Sequence, residues 1–216
     1  MSLTVLVPVL NRPRNIAPLV ESIDATAPDA AILFLTSPGY PDELKQIKNT
    51  QYPWIEVAPH APGDYARKMN VGVTHTESEL IFLGADDIRF HPGWIEAATR
   101  QLASGIGVVG TNDLGNSRVT SGRHSTHSLI TREYANRGTI DDPTRLLHEG
   151  YVHEYVDDEL VETAKHRNAY AHAHDAIVEH LHPAWGKAPS DDTYAAQRER
   201  MKQSRALYQR RRLLWT

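Results

Sequence analysis

An apolar run of strand length that ends in two adjacent carboxylates constrains this chain more than any other feature. Residues 81–83 read Ile-Phe-Leu, Gly84 and Ala85 follow, and Asp86 and Asp87 stand side by side. Adjacent carboxylates repel each other, so after a buried strand they require a cation to neutralise them. A divalent metal ion that carries a phosphate-bearing substrate fits this requirement, because hard cations prefer carboxylate and phosphate oxygens.

The composition is that of a soluble globular protein. The chain has 216 residues, 40% of them hydrophobic and 23% charged, with a formal net charge of −4. The absence of cysteine excludes disulfides, thiolate metal sites and a cysteine nucleophile. No apolar run approaches the roughly 20 residues that a membrane-spanning helix needs, and residues 3–8 are too few for a signal peptide. We therefore expect a cytoplasmic protein with no membrane partner.

Strand and helix patterns alternate up to residue 90. In turn, these patterns cover residues 3–9, 16–25, 31–35, 41–49, 55–58, 63–74 and 80–83. Short connections between alternating strands and helices predict an α/β fold with a mostly parallel, Rossmann-like sheet that is flanked by helices. In such sheets ligands bind at the carboxyl ends of the strands, which is the position of Asp86 and Asp87.

The second half predicts shorter elements and a change of composition near its end. Predicted strands cover 107–110, 128–131 and 176–181, and predicted helices 92–102, 132–137 and 157–165, with a loop at 111–123. Residues 197–216 contain seven Lys or Arg and one acid. Apolar side chains there predict a helix that packs on the core or on a partner, namely Met201, Leu207, Tyr208 and Leu214. We therefore divide the chain into a domain at 1–188 and a basic helical extension at 189–216.

The end of the first strand and the loop after it contain Pro8, Val9, Asn11 and Arg12. A loop at this edge of a sheet can wrap a nucleotide with its backbone groups and bring a cation near phosphate. The competing interpretation is an ordinary strand-to-helix loop with a solvated arginine.

Arg67 and Asn70 are three residues apart, so a helix presents them on one face. A guanidinium there can bind a pyrophosphate with two hydrogen bonds, while Asn70 bonds to the ligand or to the backbone. The competing interpretation is a solvated helix whose Gly72 packs against the next strand.

Two later segments carry further candidates. The acids at 157–159 begin a predicted helix, where they either favour the helix dipole or include a general base. At 179–183 the chain reads Glu-His-Leu-His-Pro, and strand alternation puts His180 and His182 on one face. One of these imidazoles can complete a metal site, although a purely structural histidine is the competing interpretation.

In their order, these elements resemble a family 2-type glycosyltransferase with the GT-A fold, across residues 3–183. The compact length and the ending at 179–183 resemble small phage-encoded members of that family. Residues 7–12 resemble the nucleotide-binding strand of that family, and residues 67–72 resemble its arginine and Asn-x-Gly helix. Residues 84–87 resemble its metal-binding aspartates. Residues 157–160 resemble its catalytic acidic motif, and residues 180–182 contain the late histidine.

The chain also departs from the family at three positions. Gly84 stands where many relatives carry the first aspartate of the metal motif. Thr36 stands where relatives often have an aspartate that reads the nucleotide base, and Val156 replaces a glutamate before the catalytic aspartate. Alignment on the acidic motif favours Asp157 as the base, with Asp158 as the alternative.

The resemblance implies an inverting hexosyl- or pentosyltransferase that uses a nucleotide-diphosphate sugar and either Mn²⁺ or Mg²⁺. Its implied metal ligands are Asp87, Asp86 and either His180 or His182. The residues that it implies for donor binding are Pro8, Val9, Asn11, Arg12, Thr36, Arg67, Asn70 and Asp86. The acceptor is a hydroxyl of a protein, a glycan or a modified DNA base, and a phage-encoded enzyme would act in the host cytoplasm.

Two other functions fit the same residues less well. A nucleotidyltransferase would share the sheet and the metal, but residues 8–11 lack the glycine-rich, lysine-bearing signature that it usually has. A non-catalytic domain that binds a nucleotide or a partner is suggested by Gly84. The basic extension is open to three interpretations, which are a nucleic-acid contact, a solvated surface and a homo-oligomer interface.

Overall fold

The computed structural model describes residues 1–215, apart from the side chain of Thr193. The strands are β1 (Leu3–Pro8), β2 (Ala31–Thr36), β3 (Trp54–Glu56), β4 (Leu80–Leu83), β5 (Ile88–Phe90), β6 (Val108–Asn112), β7 (Ser128–Thr131) and β8 (Tyr170–His180). The α-helices are α1 (Pro13–Thr26), α2 (Pro41–Thr50), α3 (Tyr65–Thr74), α4 (Trp94–Thr99), α5 (Ser117–Thr120), α6 (Arg132–Ala135), α7 (Val156–His166), α8 (Asp192–Ala195) and α9 (Gln197–Arg211). Within these residues, no helix has both the length and the apolar content to cross a bilayer.

All the strands form one sheet in the order β3-β2-β1-β4-β7-β6-β8-β5. The first four run parallel to one another, as do β6 and β8. Strand β7 runs antiparallel between β4 and β6, and β5 runs antiparallel to β8. The prediction of an α/β fold with a mostly parallel sheet is therefore confirmed.

Both faces of the sheet are buried under helices. Along β1, Val5 and Val7 join one hydrophobic core while Leu6 joins the other, as the alternation of side chains on a strand requires. Helices α1 and α4 contribute to the first core, and α3 and α7 to the second. Helix α3 packs closely because a Cβ atom on Gly72 would lie 2.9 Å from the side chains of Leu6 and Leu35.

The turn between β4 and β5 positions the two adjacent aspartates. Asp86 and Asp87 lie there at the carboxyl end of β4, and they are buried, with 5% and 8% of their surface exposed. A Cβ atom on Gly84 would lie 2.9 Å from the carbonyl oxygen of Leu6, closer than such atoms approach in proteins. The glycine is therefore explained by close packing on β1.

Three elements differ from the sequence-based predictions. Strand β8 begins at Tyr170, six residues before the predicted start. The prediction began too late because His172, His174 and Asp175 interrupt the apolar pattern in the first half of the strand. Strand β5 was not predicted, since it has three residues and takes its pairing from β8. The predicted loop at 111–123 contains the short helix α5.

The basic extension folds back on the domain through one face of α9. Ser204 accepts a hydrogen bond from the backbone N–H of Val152, and the Tyr208 ring stacks on Tyr155 at 4.9 Å. Packing is confirmed for Leu207 and Tyr208, which are half-buried. Met201 and Leu214 are exposed and do not pack on the domain, so for them packing on a partner stays a prediction.

Arg211 is the buried cation that fastens the end of α9. Its guanidinium donates two hydrogen bonds of 2.7 Å to Glu159 of α7 and bonds of 2.8 and 2.6 Å to Asp141. Tyr151 donates a further bond of 2.7 Å to Glu159. Burial lowers the pKa of Arg211, but the bonds and charges of the two acids outweigh it and raise that pKa.

We expect Arg211→Ala to lower the free energy of unfolding by about 3–5 kcal/mol, because it leaves the buried Glu159 carboxylate without its cation. The measurement is urea unfolding at neutral pH. Arg210→Ala, at an exposed neighbouring position, is the matched control and should change stability by less than about 0.5 kcal/mol. Equal effects of the two variants would show that the extension is not anchored by this ion pair.

Candidate functional site

Arg12 is the cation that neutralises the two adjacent aspartates. Its Nη1 atom lies 2.9 Å from Oδ2 of Asp87 and 3.3 Å from Oδ1 of Asp86. All three side chains are buried. The loop after β1 therefore reaches the carboxyl end of β4, and Arg12 is not the solvated residue of the competing interpretation.

Two residues of the extension close over this cluster. Asp191 accepts hydrogen bonds of 2.9 and 3.0 Å from Nε and Nη2 of Arg12. The Tyr194 ring lies 4.2 Å from the Arg12 guanidinium, and its hydroxyl donates to Oδ2 of Asp87. Sequence reasoning missed both residues, and the only local signal is their place just after the composition changes at Pro189.

The two aspartates are unequal in their protonation. Burial, and then the negative charge of Asp87, raise the pKa of Asp86 to about 7, against the opposing effect of Arg12. Burial also acts to raise the pKa of Asp87, but hydrogen bonds and charge from His180, Tyr194 and Arg12 outweigh it and hold that pKa low. Asp87 is therefore the carboxylate that stays ionised.

The two late histidines have different surroundings. His180 ends β8, and its Nε2 atom lies 3.5 Å from Oδ1 of Asp87. Its Nδ1 atom is buried and has no hydrogen-bond partner among the described residues. His182 lies beyond the strand, where its Nδ1 accepts a bond of 3.1 Å from the backbone of Ala184. Of the two, only His180 has a ring nitrogen within 4 Å of a carboxylate oxygen of Asp87 among the described residues.

Backbone hydrogen bonds hold the rest of the predicted donor-binding loop in place. Val9, which follows Pro8 at the end of β1, donates from its N–H to Leu35 and accepts a 2.6 Å bond from the Nζ atom of Lys68. Lys68 is a buried cation that sequence reasoning missed, and burial lowers its pKa against the charge of nearby carboxylates. Asn11 is exposed at the tip of the loop, with φ at 55°.

A buried carboxylate joins the ends of β1 and β2. Glu43 of α2 accepts a 2.9 Å bond from the Thr36 hydroxyl and a 3.2 Å bond from the backbone N–H of Arg12. Thr36 was predicted to bind the donor at the position where relatives carry an aspartate. The nearby carboxylate here comes from α2, seven residues later, and sequence reasoning missed it.

Arg67 and Asn70 share a face of α3, as predicted, and both meet Glu149. Asn70 donates to Glu149 at 3.0 Å and exchanges two hydrogen bonds with the backbone of Leu147. Arg67 is partly exposed and lies 3.6 Å from the same carboxylate. Asn70 thus takes the backbone alternative that the sequence left open, and it pins the loop at 147–149 to α3.

A second acidic centre lies at the start of α7. Asp157 lies 3.1 Å from Nε2 of His124, a residue that is 2% exposed and that sequence reasoning missed. The Nδ1 atom of the same ring is 4.0 Å from Asp158, whose carboxylate also accepts a bond from Arg118. His124 therefore lies between the two carboxylates, with three possible metal ligands within 4.8 Å of one another.

The two carboxylates of this centre differ in the same way as the first pair. Burial acts to raise the pKa of Asp157, but the charge and hydrogen bond of His124 outweigh it and lower that pKa. Burial and the charge of Asp157 raise the pKa of Asp158. The pKa of His124 is raised, because the charge of Asp157 outweighs burial. Asp157 is thus the ionised member.

Tyr65, the first residue of α3, lies close to the second acidic centre. Burial raises its pKa, and so do the negative charges of Asp157 and Asp87. A small cleft beside it is lined by Tyr65, Asp157 and the hydroxyl side chains of Ser125, Thr126 and Ser128. The end of β4, at Leu83, and the first residues of α3 and α7 thus border one cleft.

No protein-family model and no curated protein sequence matches this chain. It is similar to the solved structure of the mannosyltransferase PcManGT from Pyrobaculum calidifontis in complex with GDP-Man and Mn²⁺. That match has 17% identity and a TM-score of 0.65, and it covers 98% of this chain and 64% of the other. Glucosyl-3-phosphoglycerate synthase from Mycobacterium tuberculosis, in complex with Mn²⁺, UDP and glucosyl-3-phosphoglycerate, matches with 15% identity and a TM-score of 0.61, over 94% of this chain and 80% of the other.

TarS from S. aureus also matches, with 13% identity and a TM-score of 0.64, over 82% of this chain and 59% of the other. This chain therefore spans less than two thirds of the mannosyltransferase and TarS chains. At such identities the similarity concerns the fold. The sheet order, the aspartates at the end of β4 and these structural relatives together show that the chain has the GT-A fold of nucleotide-sugar transferases.

Proposed function

We propose that this protein is a metal-dependent, inverting glycosyltransferase that uses a nucleotide-diphosphate sugar. The observation that carries the proposal is the presence of two acidic centres within a GT-A fold, Asp86 with Asp87 at the end of β4 and Asp157 with Asp158 at the start of α7. Sugar transfer needs one centre for the diphosphate and another for the acceptor hydroxyl.

The first centre fits a divalent cation. Asp87 supplies an ionised carboxylate, His180 faces it at 3.5 Å and has a second nitrogen without a partner, and Asp86 stands beside them. Oxygen and imidazole ligands of this kind suit Mn²⁺ or Mg²⁺, with Mn²⁺ being the ion bound by two of the structural relatives. When bound, the ion would stabilise the negative charge that develops on the departing diphosphate.

Arg12 and Tyr194 bond to the same oxygen of Asp87, so binding of the donor requires these contacts to be exchanged. A guanidinium released from Asp87 and Asp191 suits the diphosphate, which accepts two parallel hydrogen bonds. In this proposal the loop of Pro8, Val9 and Asn11 lies against the nucleotide, and Thr36 faces the base. Arg67 assists the diphosphate, whereas Asn70 supports the site by holding the loop at 147–149.

Asp157 is the general base of the proposed reaction. It takes the proton of the acceptor hydroxyl as that oxygen forms a bond to the anomeric carbon, while the bond from this carbon to the diphosphate oxygen breaks on the opposite face. His124 holds the carboxylate in place through its 3.1 Å contact. Asp158, with a raised pKa and an ion pair to Arg118, is the alternative base.

The relatives' donors point to a nucleoside-diphosphate hexose, since GDP-Man and UDP-glucose are bound in their structures. The acceptor in this proposal is a hydroxyl of a protein, a glycan or a modified DNA base. Kinship with small phage-encoded members of family 2, and action in the cytoplasm, belong to the same proposal.

The test is a thermal-shift screen of GDP-mannose, UDP-glucose and other nucleotide sugars, with and without Mn²⁺ or Mg²⁺. A ligand that binds the folded state at 100 times its Kd stabilises it by about 2.7 kcal/mol, and the shift should depend on the metal. Donor turnover should then release free nucleoside diphosphate. Pyrophosphate as the product would instead identify a nucleotidyltransferase, and binding without turnover over many acceptors would identify a non-catalytic domain.

A further inference from the structure

Helix α9 has two faces of different character. The face that meets the domain carries Arg200, Ser204, Tyr208 and Arg211, at helical spacings of four, four and three residues. Arg200 pairs with Glu154 at 3.1 Å, and Arg211 is buried between Glu159 and Asp141. Two of the basic residues of the extension are therefore anchors that face inwards.

Four of the other five basic residues, together with Gln209, form an exposed row, here called the basic stripe. Its members recur at intervals of four, three, four and three residues, which keeps them on one side of a helix, and they are Arg198, Lys202, Arg205, Gln209 and Arg212. At about 100° per residue around the helix axis, this row is centred roughly 125° away from the face that meets the domain. All are exposed, so the stripe points away from the domain.

Charge is strongly segregated between this helix and the rest of the chain. Residues 197–216 hold seven of the 23 basic residues and one of the 27 acidic residues, so they carry a net +6 against −10 elsewhere. Within residues 1–215, the one carboxylate seen to pair with the stripe is Glu199, at 3.5 Å from Lys202. The stripe therefore presents a cationic field to solvent.

We propose that the basic stripe binds the phosphodiester backbone of a nucleic acid. The stripe spans about 20 Å of helix. A row of cations of this length can contact several successive phosphates along a nucleic-acid strand. It contains no apolar residue, whereas a helix that binds a lipid surface inserts an apolar face. A symmetric dimer of this chain that formed through the stripe would bring like charges together. Its cations contact phosphates, so the stripe binds without regard to base sequence.

The position of α9 connects this surface to the candidate site. The helix follows directly after Asp191 and Tyr194, which close over Asp87, and it packs against α7, whose first turn carries Asp157. The stripe lies on the outer side of this helix, so a nucleic acid bound there is separated from both acidic centres by α9 itself.

The test measures binding of the full chain to short duplex and single-stranded DNA by fluorescence anisotropy, between about 50 and 200 mM salt. The stripe variant combines Arg198→Gln, Lys202→Gln, Arg205→Gln and Arg212→Gln. A control variant removes the same charge from exposed positions elsewhere, with Lys45→Gln, Lys48→Gln, Arg100→Gln and Arg137→Gln. Both variants leave the anchors intact, and their melting temperatures should match that of the unaltered chain.

We expect salt-sensitive binding that the stripe variant loses by at least about tenfold at low salt, with its salt slope reduced by about 3. The control variant should bind like the unaltered chain, and the tighter of the two DNA forms identifies the physiological one. Equal loss in both variants, no DNA binding near 50 mM salt, or tighter binding to phosphatidylserine vesicles would each overturn the proposal. A donor-dependent thermal shift retained by the stripe variant separates this result from the catalytic proposal.

Discussion

Replacing Asp157 with asparagine is expected to slow sugar transfer by roughly 10²- to 10⁴-fold, the contribution of a positioned general base. Asparagine keeps the shape of the side chain but cannot take the acceptor's proton. The donor should bind as before, because the diphosphate is held at the other acidic centre. The measurement is turnover with a saturating donor, accompanied by the donor-dependent thermal shift.

The control for this experiment is Asp158→Asn. Asp158 pairs with Arg118 and has a raised pKa, so its loss should affect the rate less than the loss of Asp157. Because the pKa of Asp157 is lowered, the rate should not fall through this group until the pH drops below the ordinary aspartate range. Full activity of Asp157→Asn together with inactivity of Asp158→Asn would transfer the role of base to Asp158.

Replacing Asp87 with asparagine is expected to abolish the metal-dependent part of donor binding and to lower transfer by about 100-fold or more, since metal stabilisation of a leaving group contributes several kcal/mol. Asp87 is the carboxylate that stays ionised and faces His180. The measurement is the thermal shift with GDP-mannose or UDP-glucose as Mn²⁺ is titrated. Asp192→Asn, at an exposed position beside the closing segment, is the matched control and should behave as the unaltered chain.

A third variant distinguishes the role of the Asp87 carboxylate from that of Tyr194, which covers it. Tyr194→Phe removes only the hydroxyl that donates to Asp87 and leaves the ring against Arg12. It should keep the metal-dependent shift and reach half of it at a lower Mn²⁺ concentration, because one competing hydrogen bond is gone. A shift that survives in Asp87→Asn but disappears in Tyr194→Phe would contradict our assignment of the metal site.

Local patterns predicted most of the scaffold. The buried face of α1, with Ile16, Leu19, Val20 and Ile23, follows from helical spacing, and β4 follows from an uninterrupted apolar run. These predictions succeeded because the pattern of apolar residues over a short segment is enough to show which side chains will be buried in a core. The same reasoning failed for the first half of β8, where polar side chains alternate and the strand forms because its neighbour β6 pairs with it.

The sequence by itself determined that two carboxylates stand at the carboxyl end of a buried strand and that a second acidic group begins a later helix. Both facts depend on residues that are neighbours in the chain. The tertiary structure alone decided their partners: Arg12 for Asp86 and Asp87, His124 for Asp157, and Glu149 for Asn70. It also brought Asp191 to Arg12 across 179 positions. Such pairings depend on how helices and strands pack, because a charged side chain is neutralised by whichever group the fold brings within reach.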